Sequence, residues 1–123
     1  MLDNNERFLE TAKDFLSEQE FIDKVFITSS DIAALRIVEK NQPDVILLDV
    51  LMPGQNGIEL IPAMRAKAPN ARIMMLSLWD LEAYRESARK AGADDFISKK
   101  TMNETLIPAI RNKCVEVLRT NEK

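Results

Sequence analysis

The sequence predicts an α/β domain built on a doubly wound parallel sheet, and three observations predict it. Apolar runs without alternation, Val45-Ile46-Leu47-Leu48 and Ile73-Met74-Met75-Leu76, read as strands covered on both faces. Segments with apolar residues at helical spacing separate the strand candidates, so the two kinds of element alternate strictly along the chain. The 123 residues, 46% of them apolar, are enough for a single domain, 1–123, to bury a core without metal or disulfide.

The chain opens with a helix over about 6–18, where Phe8, Ala12, Phe15 and Leu16 recur at helical spacing behind the cap-like pair Asn4-Asn5. A short strand is expected over Lys24 to Ser29. Ser29 or Ser30 can cap the second helix, which carries Ile32, Leu35 and Val38 and must stop before Pro43, because a residue preceding proline disfavours the α region. The strand Val45–Leu48 delivers Asp49 to the turn Met52-Pro53-Gly54. A third helix starts near Gly57 with Ile58, Ile61 and Met64 on one side, and Pro62 inside it should remove a backbone bond and bend it. A strand over 72–78 follows. Leu81, Tyr84, Ala88 and Ala91 define a fourth helix closed by Gly92, and Asp95 to Lys99 reads as the last strand. Thr101 and Glu104 have capping-box spacing for a final helix with Leu106, Ile110, Cys114 and Val117 on its buried stripe and a second bend at Pro108.

Composition removes several function classes. With 17 Lys+Arg against 20 Asp+Glu the net charge is −3, which offers neither a nucleic-acid footprint nor a polybasic membrane anchor. One cysteine, Cys114, forbids an intrachain disulfide, and the absence of His argues against a zinc site or a His-dependent triad. No apolar run approaches the roughly 20 residues of a membrane span, and Met1-Leu2-Asp3-Asn4-Asn5 is no signal peptide, so a soluble, cytoplasmic protein is expected.

In open α/β sheets the chemistry lies at the carboxyl ends of the strands, and three such ends carry functional groups here: Asp49, Ser77 and Lys99. Asp3, at the foot of the first helix, is a fourth candidate. An acid flanked by a second carboxylate, a hydroxyl and a lysine suits the receipt of a phosphoryl group. The carboxylate attacks, a hard divalent cation bridges oxygens, and Lys and Ser stabilise the new charge. Each residue also has a plainer reading: Asp49 as a turn former, Ser77 as a satisfied buried hydroxyl, Lys99 as a solvated strand end, and Asp3 and Asn4 as caps of the first helix. Asp94, Asp95, Lys99 and Lys100 read as a mixed, solvated charge cluster, and Met52, Met64, Met74 and Met75 as core filler.

The segment Pro43-Asp44-Val45-Ile46-Leu47-Leu48-Asp49-Val50-Leu51-Met52-Pro53 through Gly57 resembles the phosphorylation segment of response-regulator receiver domains in two-component signalling. Leu76-Ser77-Leu78-Trp79-Asp80 and Ala91-Gly92-Ala93-Asp94-Asp95-Phe96-Ile97-Ser98-Lys99 resemble that family's hydroxyl and lysine segments, in the style of the branch that precedes a LuxR-type DNA-binding domain. The resemblance implies a flavodoxin-like sheet, strand order 2-1-3-4-5, with Asp49 as phosphoacceptor. It further implies that Ser77 and Lys99 bind the phosphoryl group and that Phe96 moves inward as Ser77 is drawn to it. A Mg2+ ion would be held by Asp3, Asn4, Asp49 and the backbone carbonyl of Leu51. The implied partners are a histidine kinase or phosphotransfer protein and a second copy, bound through the face of the fourth helix, last strand and last helix. No direct contact with nucleic acid or membrane is implied for this domain.

Four departures modify that expectation. Asn4 replaces an acid, which lowers metal affinity and makes the Mg2+ site weak. Lys100 follows Lys99 where a proline is usual. Leu51 and Trp79 occupy the two positions that tune water access, and since neither can orient water, slow loss of phosphate is expected. Finally, only Met1 and Leu2 stand where a buried first strand belongs, so that strand is cut short and two ladders of backbone lose their partner. Upstream residues, another chain or a rearranged N-terminus would have to fill the place. The alternative function is a degenerate receiver that binds a partner without phosphorylation, and a hydrolase or flavin-binding protein ranks last because no glycine-rich phosphate loop follows any strand.

Overall fold

The computed structural model describes residues 1–52, 55–78 and 81–121; the side chains of 51, 52, 55 and 114–121 lie outside that description. Its elements are helices α1 (Glu6–Ser17), α2 (Asp31–Asn41), α3 (Ile61–Lys67), α4 (Glu82–Ala91) and α5 (Met102–Asn121), and strands β1 (Val45–Asp49), β2 (Leu51–Met52), β3 (Gln55–Asn56), β4 (Arg72–Ser77) and β5 (Asp95–Ser98). One turn of 3-10 helix, Gly57–Leu60, leads into α3. β1, β4 and β5 form a parallel sheet in that order, with Asp49 opposite Leu76 and Ser77 opposite Ser98.

The unbroken apolar strands are explained by cover on both faces. Ile46, Leu48, Val50, Ile73 and Met75 pack with Val38, Ile61, Met64 and Ala88 on one face. Leu47, Met74, Leu76 and Ile97 pack with Leu16, Leu106 and Ile110 on the other. Neighbouring residues of a strand thus enter opposite cores, and Ile73, Met74, Met75 and Leu76 are all fully buried. Met64, Met74 and Met75 are core residues, as the sequence suggests.

The helix signals act locally as expected. The Asn5 side chain caps α1 by accepting from Phe8 N at 3.1 Å, and Ser30 caps α2 by accepting from Ala33 N at 3.2 Å. Gly92 closes α4 at φ +112°, where its missing Cβ matters. α2 ends at Asn41, clear of Pro43.

Several expectations are corrected. Pro62 does not bend a helix, because the segment begins as 3-10 structure and Pro62 falls in the first turn of α3, where no intrahelical N–H is required. Phe15, Ile32 and Leu81 are exposed, since the faces that meet the sheet carry Leu9, Ala12 and Leu16 in α1, Ala34 and Val38 in α2, and Ala88 in α4. Asp94 is exposed, as the sequence implies, but both it and the partly buried Asp95 are ion-paired. Arg72 Nε bonds Asp95 at 2.7 Å across β4 and β5, and Asp94 Oδ2 accepts from Ile73 N and Arg65, each at 2.8 Å. Cys114 and Val117 lie outside the described side chains.

The strand expected over 24–29 reduces to a single bridge, and its cause lies elsewhere in the chain. Leu2 sits between Thr28 and Leu48 in parallel with both: Leu2 N donates to Leu47 O at 2.8 Å, Asp49 N to Leu2 O at 3.0 Å, and Thr28 N to Met1 O at 3.1 Å. Met1-Leu2-Asp3 therefore lies in the middle of the sheet as a short stub, and the 24–28 segment meets it through the Leu2–Thr28 bridge and a bond from Met1 N to Phe26 O at 2.6 Å. The full spatial order is the 24–28 segment, the stub, β1, β4 and β5.

Candidate functional site

Three chain ends converge at the carboxyl rim of the sheet. β1 ends on Asp49, 6% exposed, and the stub places Asp3 beside it with no exposure. β4 ends on buried Ser77, whose carbonyl accepts from Lys99 N at 2.8 Å and thereby fixes the start of the turn after β5. Gly57 closes the rim from the other side. Its N–H donates to Val50 O at 2.7 Å, and a Cβ there would overlap the carbonyl oxygen of Asp49, so only glycine lets the chain pass this close.

Lys99 organises the charges. Its Nζ lies 2.6 Å from Asp3 Oδ2 and 3.6 Å from Asp49 Oδ1, and the side chain is 11% exposed. The other oxygen of Asp3 accepts from Asn5 N at 3.0 Å, so the buried carboxylate is held at both ends. The ammonium also stands over the ring of Phe8, 4.6 Å from its centroid, a cation–π distance. Asp3, Asn4, Asn5, Phe8, Asp49, Ser77, Leu78 and Lys99 together line an open cavity of about 400 Å3.

Of the residues singled out in the sequence, Asp3, Asn4, Asp49, Ser77 and Lys99 meet in this cavity. Phe96 does not line it. It lies on β5 opposite Met75, half-buried, with the Arg85 guanidinium 5.0 Å above its ring. Leu51 contributes backbone to β2, which pairs with Asn56; its side chain and all of Trp79 lie outside the described residues. Sequence reading missed Phe8 and Asn5. The available signal was their place in the first turn of α1, directly after the acidic Asp3, which aims one face of that turn at the rim.

The donor set is all oxygen: two carboxylates, the Asn4 amide and backbone carbonyls. Hard divalent cations take such ligands, with reduced affinity where an amide replaces a carboxylate. Among the described residues no group of three or more His, Cys, Asp or Glu could hold a metal. Asp3 and Asp49 supply two acids and Asn4 a neutral oxygen, donor types that a hard cation takes.

Comparison with known proteins gives a consistent result. The family model for the response regulator receiver domain matches residues 1–111. The chain is 31% identical over 111 residues to the transcriptional regulatory protein DegU of Brevibacillus brevis, covering 90% of this chain and 47% of that protein. It is similar in structure to a response regulator protein from Burkholderia pseudomallei solved with a phosphorylated aspartic acid, a calcium ion and citrate. There the TM-score is 0.82 and identity 25%, over 98% of this chain and 69% of that one. A DNA-binding response regulator of the LuxR family from Staphylococcus aureus shares the fold at TM-score 0.81 and 20% identity, over 92% of this chain and 94% of that one. The chain spans about half the length of the curated relatives it matches.

Proposed function

The chain belongs to the response regulator receiver domain family, in its LuxR-associated branch, and from that premise we propose that Asp49 accepts a phosphoryl group from a histidine kinase or phosphotransfer protein. The observation that carries this reading is the meeting of Asp49, Ser77 and Lys99, from three separate strand ends, around one open space, with the ammonium 3.6 Å from the Asp49 carboxylate. A carboxylate oxygen of Asp49 attacks phosphorus, a P–O bond forms as the P–N bond to the donor histidine breaks, and the imidazole leaves. The Ser77 hydroxyl donates to a phosphoryl oxygen. Lys99 transfers its ammonium from Asp3 toward the added charge, a short movement because it already bridges both acids. Asp3, Asn4, Asp49 and the Leu51 carbonyl would hold Mg2+, which when bound would supply charge neutralisation for phosphoryl transfer.

Pulling Ser77 toward the phosphoryl group opens space next to β5, and Phe96 turns inward from beneath Arg85. The face of α4, β5 and α5 changes shape and meets a partner or a second copy. The domain is a cytoplasmic switch and not a turnover enzyme; self-phosphorylation and slow hydrolysis, with Leu51 and Trp79 unable to orient water, are its only chemistry.

Incubation with acetyl phosphate and Mg2+ followed by intact mass measurement tests the proposal. One added phosphoryl group is expected, lost on EDTA treatment before the donor and absent in Asp49→Asn. A specific observation favours a second reading: the Lys99–Asp3 ion pair already neutralises the buried acid, and Asn4 withholds a charge from the metal. A chain that gains no phosphoryl mass under these conditions is a phosphorylation-independent interaction module.

A further inference from the structure

Tyr84 and Phe96 pack against one apolar core and Phe21 against the other, but Phe8, half-buried in the first turn of α1, belongs to neither. Leu9, Ala12 and Leu16 form the buried side of that helix. The Phe8 ring stands instead on the wall of the cavity that also holds Asp49, Ser77 and Lys99. An aromatic ring placed among charged groups, outside the core, gains little from burial and must find its partner in the site. That partner is the Lys99 ammonium, 4.6 Å from the ring centroid.

The ammonium has three neighbours of different kinds. Asp3 Oδ2 is at hydrogen-bond distance, 2.6 Å; Asp49 Oδ1 is farther, 3.6 Å; the ring takes a third side. With the Lys99 side chain only 11% exposed, water competes weakly for the cation, the condition under which a ring face attracts it most. Asn5 fixes two of the three neighbours relative to each other. Its N–H donates to Asp3 Oδ1 at 3.0 Å, and its Oδ1 accepts from Phe8 N at 3.1 Å, so the buried acid and the ring belong to one rigid turn.

We propose that Phe8 is a positioning residue for Lys99: its ring is a partner that the ammonium keeps while it moves from Asp3 toward the phosphoryl group on Asp49. The inference rests on the phosphoacceptor reading of Asp49 and assigns it a residue on α1. Closing the 3.6 Å separation to a charge-assisted bond length of about 2.8 Å takes a displacement of about 1 Å. Such a step breaks the short, directional bond to Asp3. Attraction to a ring face has no comparable directionality and persists to about 6 Å from the centroid, so it survives the same step. The ring also keeps water from the third side of the ammonium, and no hydration shell has to be removed there as phosphoryl charge arrives.

The test replaces Phe8 alone with mono-, tri- and pentafluorinated phenylalanine, which hold nearly the same volume while fluorine withdraws charge from the ring face. Phe8→Tyr and Phe8→Leu complete the series, the first keeping the face and the second removing it. With acetyl phosphate and Mg2+, the phosphorylation rate constant is expected to fall stepwise with fluorination. It should drop about three- to thirtyfold in Phe8→Leu and stay within about twofold in Phe8→Tyr.

NMR of lysine-labelled chain reads the contact without any phosphoryl transfer. The Lys99 ammonium and ε-methylene protons, assigned by their loss in Lys99→Arg, should resonate upfield of the other lysines through the ring current and move downfield in Phe8→Leu. In Asp3→Asn, where Asp49 is the remaining acid, the upfield position should persist, as the ring travels with neither carboxylate. The proposal is overturned by a rate independent of fluorination, by Lys99 signals that are unshielded in the wild type or unmoved in Phe8→Leu, or by shielding that vanishes in Asp3→Asn. A wild-type chain that gains no phosphoryl mass instead overturns the phosphoacceptor reading, and the NMR comparison still decides whether the ring holds the ammonium.

Discussion

Lys99 has one ammonium and two carboxylates within reach, and that shortage defines the chemistry at the residue scale. Asp3 is fully buried and takes the closer contact, so Lys99 supports the fold as well as the proposed chemistry. Lys99→Met should cost about 3–5 kcal/mol in urea denaturation, because it strands a buried carboxylate. Adding Asp3→Asn to that variant should recover a large part of the loss, since a neutral amide is cheaper to bury than an unpaired charge. A double variant no more stable than Lys99→Met would show that Asp3 is not what Lys99 compensates. Asp49, Ser77 and Lys99 were legible in the sequence because each closes an apolar run. Phe8 was not. The sequence reading put Phe8 and Phe15 on the buried stripe of α1, while the helix buries Leu9, Ala12 and Leu16, a small rotation that frees the Phe8 ring for the ammonium. Phe8→Leu should leave folding intact and change the rate of phosphorylation by acetyl phosphate, the expected sign of an aromatic that positions Lys99.

Two glycines separate local from long-range constraint at the scale of elements. Gly92 ends α4 in the left-handed region, where a Cβ would make only an ordinary contact with Ile61 at 3.6 Å, so Gly92→Ala should cost about 1 kcal/mol from backbone strain and leave phosphorylation unchanged. Gly57 has an ordinary conformation but lies against the Asp49 carbonyl, so Gly57→Ala should cost about 1–3 kcal/mol and also displace the end of β1. Urea midpoints compared with phosphorylation rates distinguish the two: a Gly57→Ala variant with normal phosphorylation would refute the positioning role. Caps, helix stops and the β1 and β4 strands were readable because each depends on residues within a turn or on a pattern of burial. Pro62 misled because its effect depends on where the α-helix begins, and the 3-10 turn before it shifts that start.

For the molecule as a whole, the stub Met1-Leu2-Asp3 in the middle of the sheet ties stability to the state of the Met1 amine. Burial lowers the pKa of the Met1 amine from 8.0 to about 6. Between those values the unfolded chain carries the proton and the folded chain does not, so stability rises as pH goes from 6 to 8, by up to about 1.4 kcal/mol per pH unit. Denaturation midpoints measured across that range check the slope, and acetylation of the amine, which removes the titration, should flatten it. A slope unaffected by acetylation would place the pH dependence on other groups.

The sequence by itself determined the alternation of helices and strands, the double cover of β1 and β4, and the identity of the acid, hydroxyl and lysine at their ends. These rest on periodicity, turn chemistry and short-range order, which a chain carries locally. Only the tertiary structure decided that Lys99 pairs first with Asp3, that Phe8 faces the ammonium, and that Phe96 stands outside the cavity. It also decided that residues 24–26 form no strand despite their composition. A strand exists only through its neighbour, and the neighbour here is Met1-Leu2-Asp3, more than twenty positions away in the chain, which periodicity within 24–29 does not reveal.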